Sequence, residues 1–192
     1  MDSSPPLSVP RTVALVGLMG AGKSAIGKRL ASRLGLPFVD ADDEIERAAG
    51  CSIAVFFERF GEAEFRAGER RVISRLLAGA PHVLSTGGGA YMDAETRALM
   101  RNHAITVWLR AELDVLYERV KKRTHRPLLR GGDPKEILER LMSQRYPVYA
   151  QADIVVESTA QPPDITTGQV LEALRRHLEL QTRGPQPQGA TA

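Results

Sequence analysis

The chain has 192 residues, of which 43% are hydrophobic and 26% charged, with a formal net charge of +3 at pH 7. This length and composition predict one soluble globular domain and exclude a largely disordered chain. The small positive charge suits anionic ligands such as phosphates, and it is too small to indicate nucleic acid binding. The single cysteine, Cys51, excludes an internal disulfide and a metal cage made of cysteines.

The first residues, MDSSPPLSVPR, carry an acidic residue and three prolines. They lack the basic start and the apolar middle that a signal peptide requires. No stretch of the sequence approaches the roughly 20 apolar residues of a membrane helix. We therefore expect a cytoplasmic protein, with no membrane or nucleic acid as a partner, and a monomer.

Short apolar or β-branched runs alternate with longer segments of helical period along most of the chain. This alternation predicts an α/β fold in which a five-stranded parallel sheet is flanked by helices. The domain should span 11–180, between a flexible leader at 1–10 and a flexible, Pro/Gly-rich tail at 181–192. Strands are expected at 12–16, 38–39, 83–84, 105–109 and 154–156, and helices after Lys23, after Asp42, within 52–78, and at 94–101, 112–121, 134–145 and 167–180.

The strongest motif is GLMGAGKS at 17–24, which satisfies G-x-x-x-x-G-K-[ST] between a predicted strand and a predicted helix. Its glycines let several backbone N–H groups converge on phosphate oxygens, and the helix N-terminus adds positive charge. Lys23 should reach the β- and γ-phosphates, and the Ser24 hydroxyl should bind Mg²⁺. The sequence therefore predicts a nucleoside triphosphate at Gly20, Ala21, Gly22, Lys23, Ser24 and Ala25.

Two carboxylates, Asp40 and Asp42, follow the second predicted strand, at the sheet edge where α/β folds bind ligands. If the chain is still extended there, both face the same side. One could serve Mg²⁺ and its waters, and the other could serve an acceptor hydroxyl. The alternative is that Asp42 or Asp43 caps the next helix, and we expect Asp43 to do so, with Glu46 completing a capping box.

Three further features have both a functional and a purely structural interpretation. Gly87, Gly88 and Gly89 follow another strand and suit close approach of backbone to a ligand, although a plain loop is possible. Arg66 lies among glutamates, and its structural interpretation is that it forms nothing more than a surface ion pair. Arg145, before Pro147, could simply contact the C-terminal dipole of its helix.

The basic stretch KKRTHRPLLRGGD, broken by Pro127 and two glycines, predicts a mobile lid at about 122–133. Arg126 within it could cover the γ-phosphate as an arginine finger does. The other basic residues there weaken that interpretation, because most of them are typical of a solvated surface. Phe56, Phe57, Phe60 and Trp108 are expected in the core, with Phe57 alternatively lining the cleft.

Taken together, GLMGAGKS, F-x-D-x-D, GEAEFR, STGGG, HRPLL and QRYPVY, in this order and at these separations, closely resemble shikimate kinase. The resemblance spans roughly residues 11–180. It implies a P-loop kinase that moves the γ-phosphoryl group of ATP, with Mg²⁺, to the 3-hydroxyl of shikimate in aromatic amino-acid biosynthesis. Ala25 departs from the family, which often has a hydroxyl residue there.

The resemblance also assigns roles to individual residues. It implies that Asp42 holds the acceptor hydroxyl and acts as the base, while Asp40 organises Mg²⁺ through water. It implies that Arg66 and Arg145 clamp the shikimate carboxylate. The remaining implied contacts are backbone N–H groups of Gly87, Gly88 and Gly89 to the acceptor, Arg126 over the transferring phosphoryl group and Arg119 against adenine.

Two other functions remain open at this point. A kinase for gluconate or for a nucleoside monophosphate would share the phosphate loop and the lid, but a nucleotide acceptor favours an apolar or aromatic base pocket. A sensor with a kinase fold would bind ligands without turnover, and it need not keep two carboxylates and the loop lysine.

Overall fold

The computed structural model of the chain describes residues 7–121 and 132–183. One parallel sheet has the strand order β2-β3-β1-β4-β5. Each strand lies where the sequence predicted it, within about one residue at either end. The strands are β1 (Thr12–Val16), β2 (Phe38–Asp40), β3 (Val83–Ser85), β4 (Ala104–Arg110) and β5 (Ile154–Glu157).

Seven α-helices are described; six lie between consecutive strands, and the last follows β5. The helix after β2 begins at Ala41 rather than after Asp42, and the last two helices are longer than predicted. The predicted lid, except its last two residues, and Arg126 lie outside the described residues. The helices are α1 (Lys23–Leu34), α2 (Ala41–Ala49), α3 (Ile53–Leu77), α4 (Ala94–His103), α5 (Leu113–Lys121), α6 (Pro134–Tyr149) and α7 (Pro163–Arg183), with a 3₁₀ turn at Ala90–Met92.

The core forms where helices cover both faces of the sheet. Every residue of β1 is buried, as expected of a central parallel strand. Ile26, Leu30 and Leu34 repeat at helical spacing on α1 and are all buried against it. Trp108 of β4 is also buried, as predicted.

Helix α3 is interrupted at Gly61, whose φ of 79° lies in the left-handed region. A second, smaller core cluster of Ile45, Phe65 and Val72 joins α2 to α3, and Phe56 and Phe57 pack on its edge. Phe60 was expected in the core, but it is 56% exposed. It precedes the break at Gly61, and its ring contacts that of Phe56 at the edge of this cluster.

The sheet order brings the predicted site segments together. Strand β3 pairs with β1 on one side and β2 on the other, with Ser85 opposite both Leu15 and Asp40. The segments that follow these three strands therefore meet at one edge, because the carboxyl ends of parallel strands lie together.

The residues just before β1 also pack on the domain. Val9 is buried in the core and Leu7 packs against it, so part of the predicted leader lies on the domain. The division into leader, domain and tail stays a prediction. Within 7–121 and 132–183, none of the helices is long and apolar enough to cross a membrane.

We predict opposite stability changes for two glycine-to-alanine substitutions inside helices. A Cβ at Gly27 would lie 2.6 Å from Phe38 Cε2, whereas a Cβ at Gly68 has nothing within 4 Å. Gly27→Ala should lower the free energy of unfolding by about 1–3 kcal/mol through overpacking. Gly68→Ala should raise it by about 0.5–1 kcal/mol, because alanine loses less backbone entropy.

Urea unfolding monitored by circular dichroism measures both changes. Each variant is the other's control, since both add one methyl group to a helix. Equal shifts in the two variants would contradict the packing of α1 on Phe38.

Candidate active site

The loop between β1 and α1 has the geometry of an anion site. Gly22, the residue before α1, has a φ of 95°, and a glycine cannot cap the helix with a side chain. A Cβ at Gly17 would lie 2.7 Å from the Leu109 carbonyl oxygen, so the loop lies directly on β4. The first N–H groups of α1 thus face the loop interior, where a phosphate could accept from them.

Lys23 lies on this loop. Its Nζ donates to the carbonyl oxygens of Gly17 at 2.7 Å and of Leu18 at 3.0 Å. The ammonium group is therefore held over the loop that the sequence predicted to bind phosphates. A lysine in this position can exchange a carbonyl contact for a phosphate oxygen.

Ser24 and Asp40 meet beside the loop. The Ser24 hydroxyl donates to Asp40 Oδ2 at 2.8 Å, and Ser85 Oγ lies 3.4 Å from Ser24 Oγ. Asp40 Oδ1 also accepts from the backbone N–H of Asp42 at 3.1 Å, which makes Asp40 the N-cap of α2. The predicted cap at Asp43 was wrong, because α2 begins earlier than expected.

The capping box predicted for Asp43 was also wrong. Glu46 accepts instead from the backbone N–H of Ile53, at the start of α3, at 2.9 Å. Asp42 lies in the first turn of α2 and not on an extended segment, so strand alternation does not explain its direction.

Asp42 nevertheless faces the glycine segment after β3. Its Oδ1 lies 2.9 Å from the position that a Cβ would take at Gly87, and Glu69 Oε1 lies 3.2 Å from the same position. Asp42 therefore faces the ligand-binding edge of the sheet, as the sequence predicted, although it does so from the first turn of a helix and not from an extended segment. Any side chain at Gly87 would fill the space beside Asp42.

Arg66 lies against Gly89, where a Cβ would overlap its guanidinium group. Its Nη1 pairs with Glu69, which is 2% exposed, and its Nη2 pairs with Glu62 on the surface. Arg66 is therefore not confined to the surface ion pair that the sequence left open. Burial raises the pKa of Glu69, while Arg66 acts in the opposite direction.

Arg145 reaches the same segment from α6. Its Nη1 donates to the Gly88 carbonyl at 3.0 Å. The helix continues to Tyr149, so Arg145 does not lie at the helix end. The interpretation that Arg145 contacts the C-terminal dipole of its helix was therefore wrong. A cavity of about 260 Å³ lies between the two arginines, and its lining is Glu62, Arg66, Gly89, Met92, Asp93 and Arg145.

Arg119 of α5 lies on the other side of the phosphate loop. It donates to the Gly20 carbonyl at 3.0 Å and to Ser158 Oγ at 2.9 Å, and it also contacts the Thr159 carbonyl. Ser158 in turn donates to the Ala21 carbonyl at 2.7 Å. Burial lowers the pKa of the Arg119 guanidinium. The residues after β5 therefore support the loop where the sequence predicted phosphate contacts.

Glu69 and Ser158 are parts of this site that the sequence did not single out, and Tyr149, whose hydroxyl donates to the Gly88 carbonyl, was named only as the last residue of the QRYPVY motif. Only Glu69 had a local signal, its spacing of three from Arg66 on one helix. A larger cavity of about 630 Å³ lies between β5 and α7. Its lining contains none of the predicted site residues, so we take the smaller cavity as the site.

The residues present fit Mg²⁺ but not a closed metal cage. Ser24 and Asp40 offer hard oxygen ligands beside the loop. Within 7–121 and 132–183, no group of three histidines, cysteines or carboxylates could hold a metal. Mg²⁺ commonly binds to one or two protein oxygens, phosphates and water, which agrees with such an open set.

Comparisons with known proteins agree with this geometry. The shikimate kinase family matches residues 19–175. A shikimate kinase of Paramagnetospirillum magneticum is 57% identical over 173 residues, covering 90% of this chain and 89% of the relative. One of Mesorhizobium japonicum is 53% identical over 167 residues, covering 87% and 82%.

A solved structure, the shikimate kinase from Acinetobacter baumannii in complex with shikimate, has 34% sequence identity and a TM-score of 0.82. The match covers 91% of this chain and 96% of that one. The α/β P-loop kinase fold and the ATP-dependent kinase activity that the sequence predicted are confirmed. On these matches, the chain belongs to the shikimate kinase family.

Proposed function

We propose that this enzyme transfers the γ-phosphoryl group of ATP to the 3-hydroxyl of shikimate. One observation carries the proposal: Arg66 and Arg145 line one small cavity, beside the glycine segment that Asp42 faces. Two guanidinium groups can bind a carboxylate in plane through paired hydrogen bonds. A cavity of about 260 Å³ suits a compact acid better than a nucleotide base.

On the nucleotide side, the loop N–H groups and Lys23 bind the phosphates. The contacts of Arg119 and Ser158 with the loop carbonyls support this role, because they keep the opposite face of the loop occupied. Arg119 is proposed to contact adenine beyond the loop. Arg126 is proposed to cover the transferring group, and it lies outside the described residues.

Ser24 and Asp40 would hold Mg²⁺, Ser24 directly and Asp40 through water. When bound, the ion neutralises charge that builds up on the phosphate oxygens. Because Ser24 already donates to Asp40, the two oxygens are close enough to share one hydrated ion. Binding would require the Ser24 hydroxyl to turn its lone pairs outward.

On the acceptor side, Asp42 accepts the proton of the 3-hydroxyl as that oxygen attacks the γ-phosphorus. A new oxygen–phosphorus bond forms, and the bond to the β-phosphate oxygen breaks to leave ADP. The N–H groups of Gly87, Gly88 and Gly89 orient the acceptor, while the two arginines hold its carboxylate. Positioning of this kind supplies most of the catalysis in phosphoryl transfer.

Further sequence-based expectations complete the proposal. The enzyme is expected to act in the cytoplasm as a monomer, on two small molecules and without nucleic acid. Its division into a leader, a kinase domain at 11–180 and a tail at 181–192 is part of the same expectation.

We predict that ADP release from ATP and Mg²⁺ requires shikimate. A coupled assay on the purified full chain would compare no acceptor, shikimate, gluconate and AMP. Stimulation by gluconate or AMP but not by shikimate would overturn the acceptor assignment. ATP binding without turnover on any acceptor would favour a sensor instead.

We predict that Asp42→Asn lowers kcat about 10²- to 10⁴-fold, because the 3-hydroxyl loses its proton acceptor. The KM for ATP should stay within about twofold of the wild-type value. Asp43→Asn is the matched control, since it neutralises a neighbouring exposed carboxylate in the same helical turn. Equal losses of kcat in both variants would mean that the negative charge of this helical turn, and not a proton acceptor at Asp42, determines the rate.

We predict that Arg145→Ala raises the KM for shikimate about 10- to 100-fold, the cost of a lost charge-assisted hydrogen bond. ATP binding should be nearly unchanged. Arg140→Ala removes an exposed arginine from the same helix and serves as the control. Steady-state kinetics with each substrate varied in turn separate the two effects, and equal loss of both substrates would count against the clamp.

A further inference from the structure

Gly87, Gly88 and Gly89, which follow β3, have no side chains to hold them in place. The orientation of their peptide groups therefore depends on the hydrogen bonds of the backbone. The Gly87 carbonyl accepts from the N–H of Ala90 at 3.1 Å, and the Gly89 carbonyl accepts from the N–H of Met92 at 3.0 Å. These two bonds belong to the 3₁₀ turn that follows. The Gly88 carbonyl instead accepts from two side chains of α6, Arg145 Nη1 and the Tyr149 hydroxyl.

The two donors to Gly88 differ in what else they can do. Arg145 lines the cavity beside Gly89 and is half-buried, so its guanidinium group can also reach a ligand. Tyr149 is 0% exposed, and its ring packs between those of Tyr91 and Trp108 at centroid distances of 6.3 and 5.9 Å. Tyr149 can therefore act on a ligand only indirectly, through the Gly88 carbonyl and through Arg145, whose guanidinium group also donates to its hydroxyl.

A peptide bond is planar and trans, so its C=O and N–H groups point in opposite directions. Fixing the Gly88 carbonyl toward α6 therefore fixes the N–H of Gly89 away from α6. Glycine segments otherwise reorient easily, because φ of either sign is accessible to them. Burial raises the pKa of Tyr149 to about 12, so its hydroxyl stays protonated and available as a donor at neutral pH.

We infer that Tyr149 is a positioning residue for the phosphoryl acceptor: it holds the Gly88 carbonyl and leaves Arg145 available for the acceptor carboxylate. The inference rests on the proposed function and goes beyond it. With Tyr149 in place, Arg145 can turn to the ligand without leaving the partly buried Gly88 carbonyl unpaired. Without the hydroxyl, binding the carboxylate would compete with the bond from Arg145 to Gly88.

The test is Tyr149→Phe, which removes the hydroxyl and keeps the ring. We expect the KM for shikimate to rise about tenfold, the size of effect for one lost buried hydrogen bond. The KM for ATP should stay within about twofold, because the phosphate loop keeps its own contacts. Steady-state kinetics on the full-length enzyme provide both values.

The matched control is Tyr146→Phe. Tyr146 lies one turn earlier on α6, belongs to the same aromatic cluster and donates its hydroxyl to the Ala111 carbonyl, away from the glycine segment. Its loss should leave the KM for shikimate within about twofold of the wild-type value. Equal increases in the two variants, or equal increases for ATP and shikimate, would overturn the positioning role.

The outcome for wild-type enzyme separates this inference from the proposed function. Wild-type enzyme without shikimate-dependent turnover would overturn the proposed function itself. Wild-type turnover with an unchanged shikimate KM in Tyr149→Phe would overturn only the role of Tyr149.

If Tyr149→Phe does not fold, the hydroxyl proton of Tyr149 can be followed by NMR in wild-type enzyme. It should stay protected from exchange with water when shikimate is added, and loss of protection would overturn the inference.

Discussion

The backbone of Gly87, Gly88 and Gly89 is the surface on which the helices of the site converge. A Cβ would lie 2.9 Å from Asp42 at Gly87, would lie 3.5 Å from Arg145 at Gly88, and would overlap Arg66 at Gly89. Side chains from α2, α3 and α6 therefore approach one another across bare backbone. Because β3 lies next to β1, the same segment also borders the phosphate loop, so the sites proposed for ATP and for the acceptor lie on the two sides of one backbone segment.

The buried pair of Arg66 and Glu69 shows the cost and the benefit of this close approach. Glu69 is 2% exposed, and removing a carboxylate from water raises its pKa and destabilises its charged form. Arg66 offsets that cost by pairing with it and is thereby held at the cavity wall. The ion pair is thus weak evidence for stability, and its clearer consequence is a fixed guanidinium direction.

Local signals in the sequence account for the elements and for the phosphate loop, whereas the resemblance alone assigned site roles to Arg66, Arg145 and Arg119. The phosphate loop was predictable because its glycines, Lys23 and the following helix all act within eight residues. The cap at Asp40 was missed, because Asp43 with Glu46 offers an equally good local pattern and tertiary contacts decided between them. The roles of Ser158 and of Tyr149, the last residue of QRYPVY, could not be predicted locally, since their partners lie 137 and 61 residues away.

Ser158 and Tyr149 have the same physical role on the two sides of the site: each donates a hydrogen bond to a backbone carbonyl of a binding segment. An anion is bound by N–H groups that point inward, and in a trans peptide this turns the linked carbonyls outward, into the protein. A buried carbonyl without a donor is costly, so each binding segment needs donors behind it. Ser158 and Arg119 supply them to the Ala21 and Gly20 carbonyls, and α6 supplies them to Gly88. Since the donors behind the two segments come from different elements, substitutions there should affect one substrate at a time.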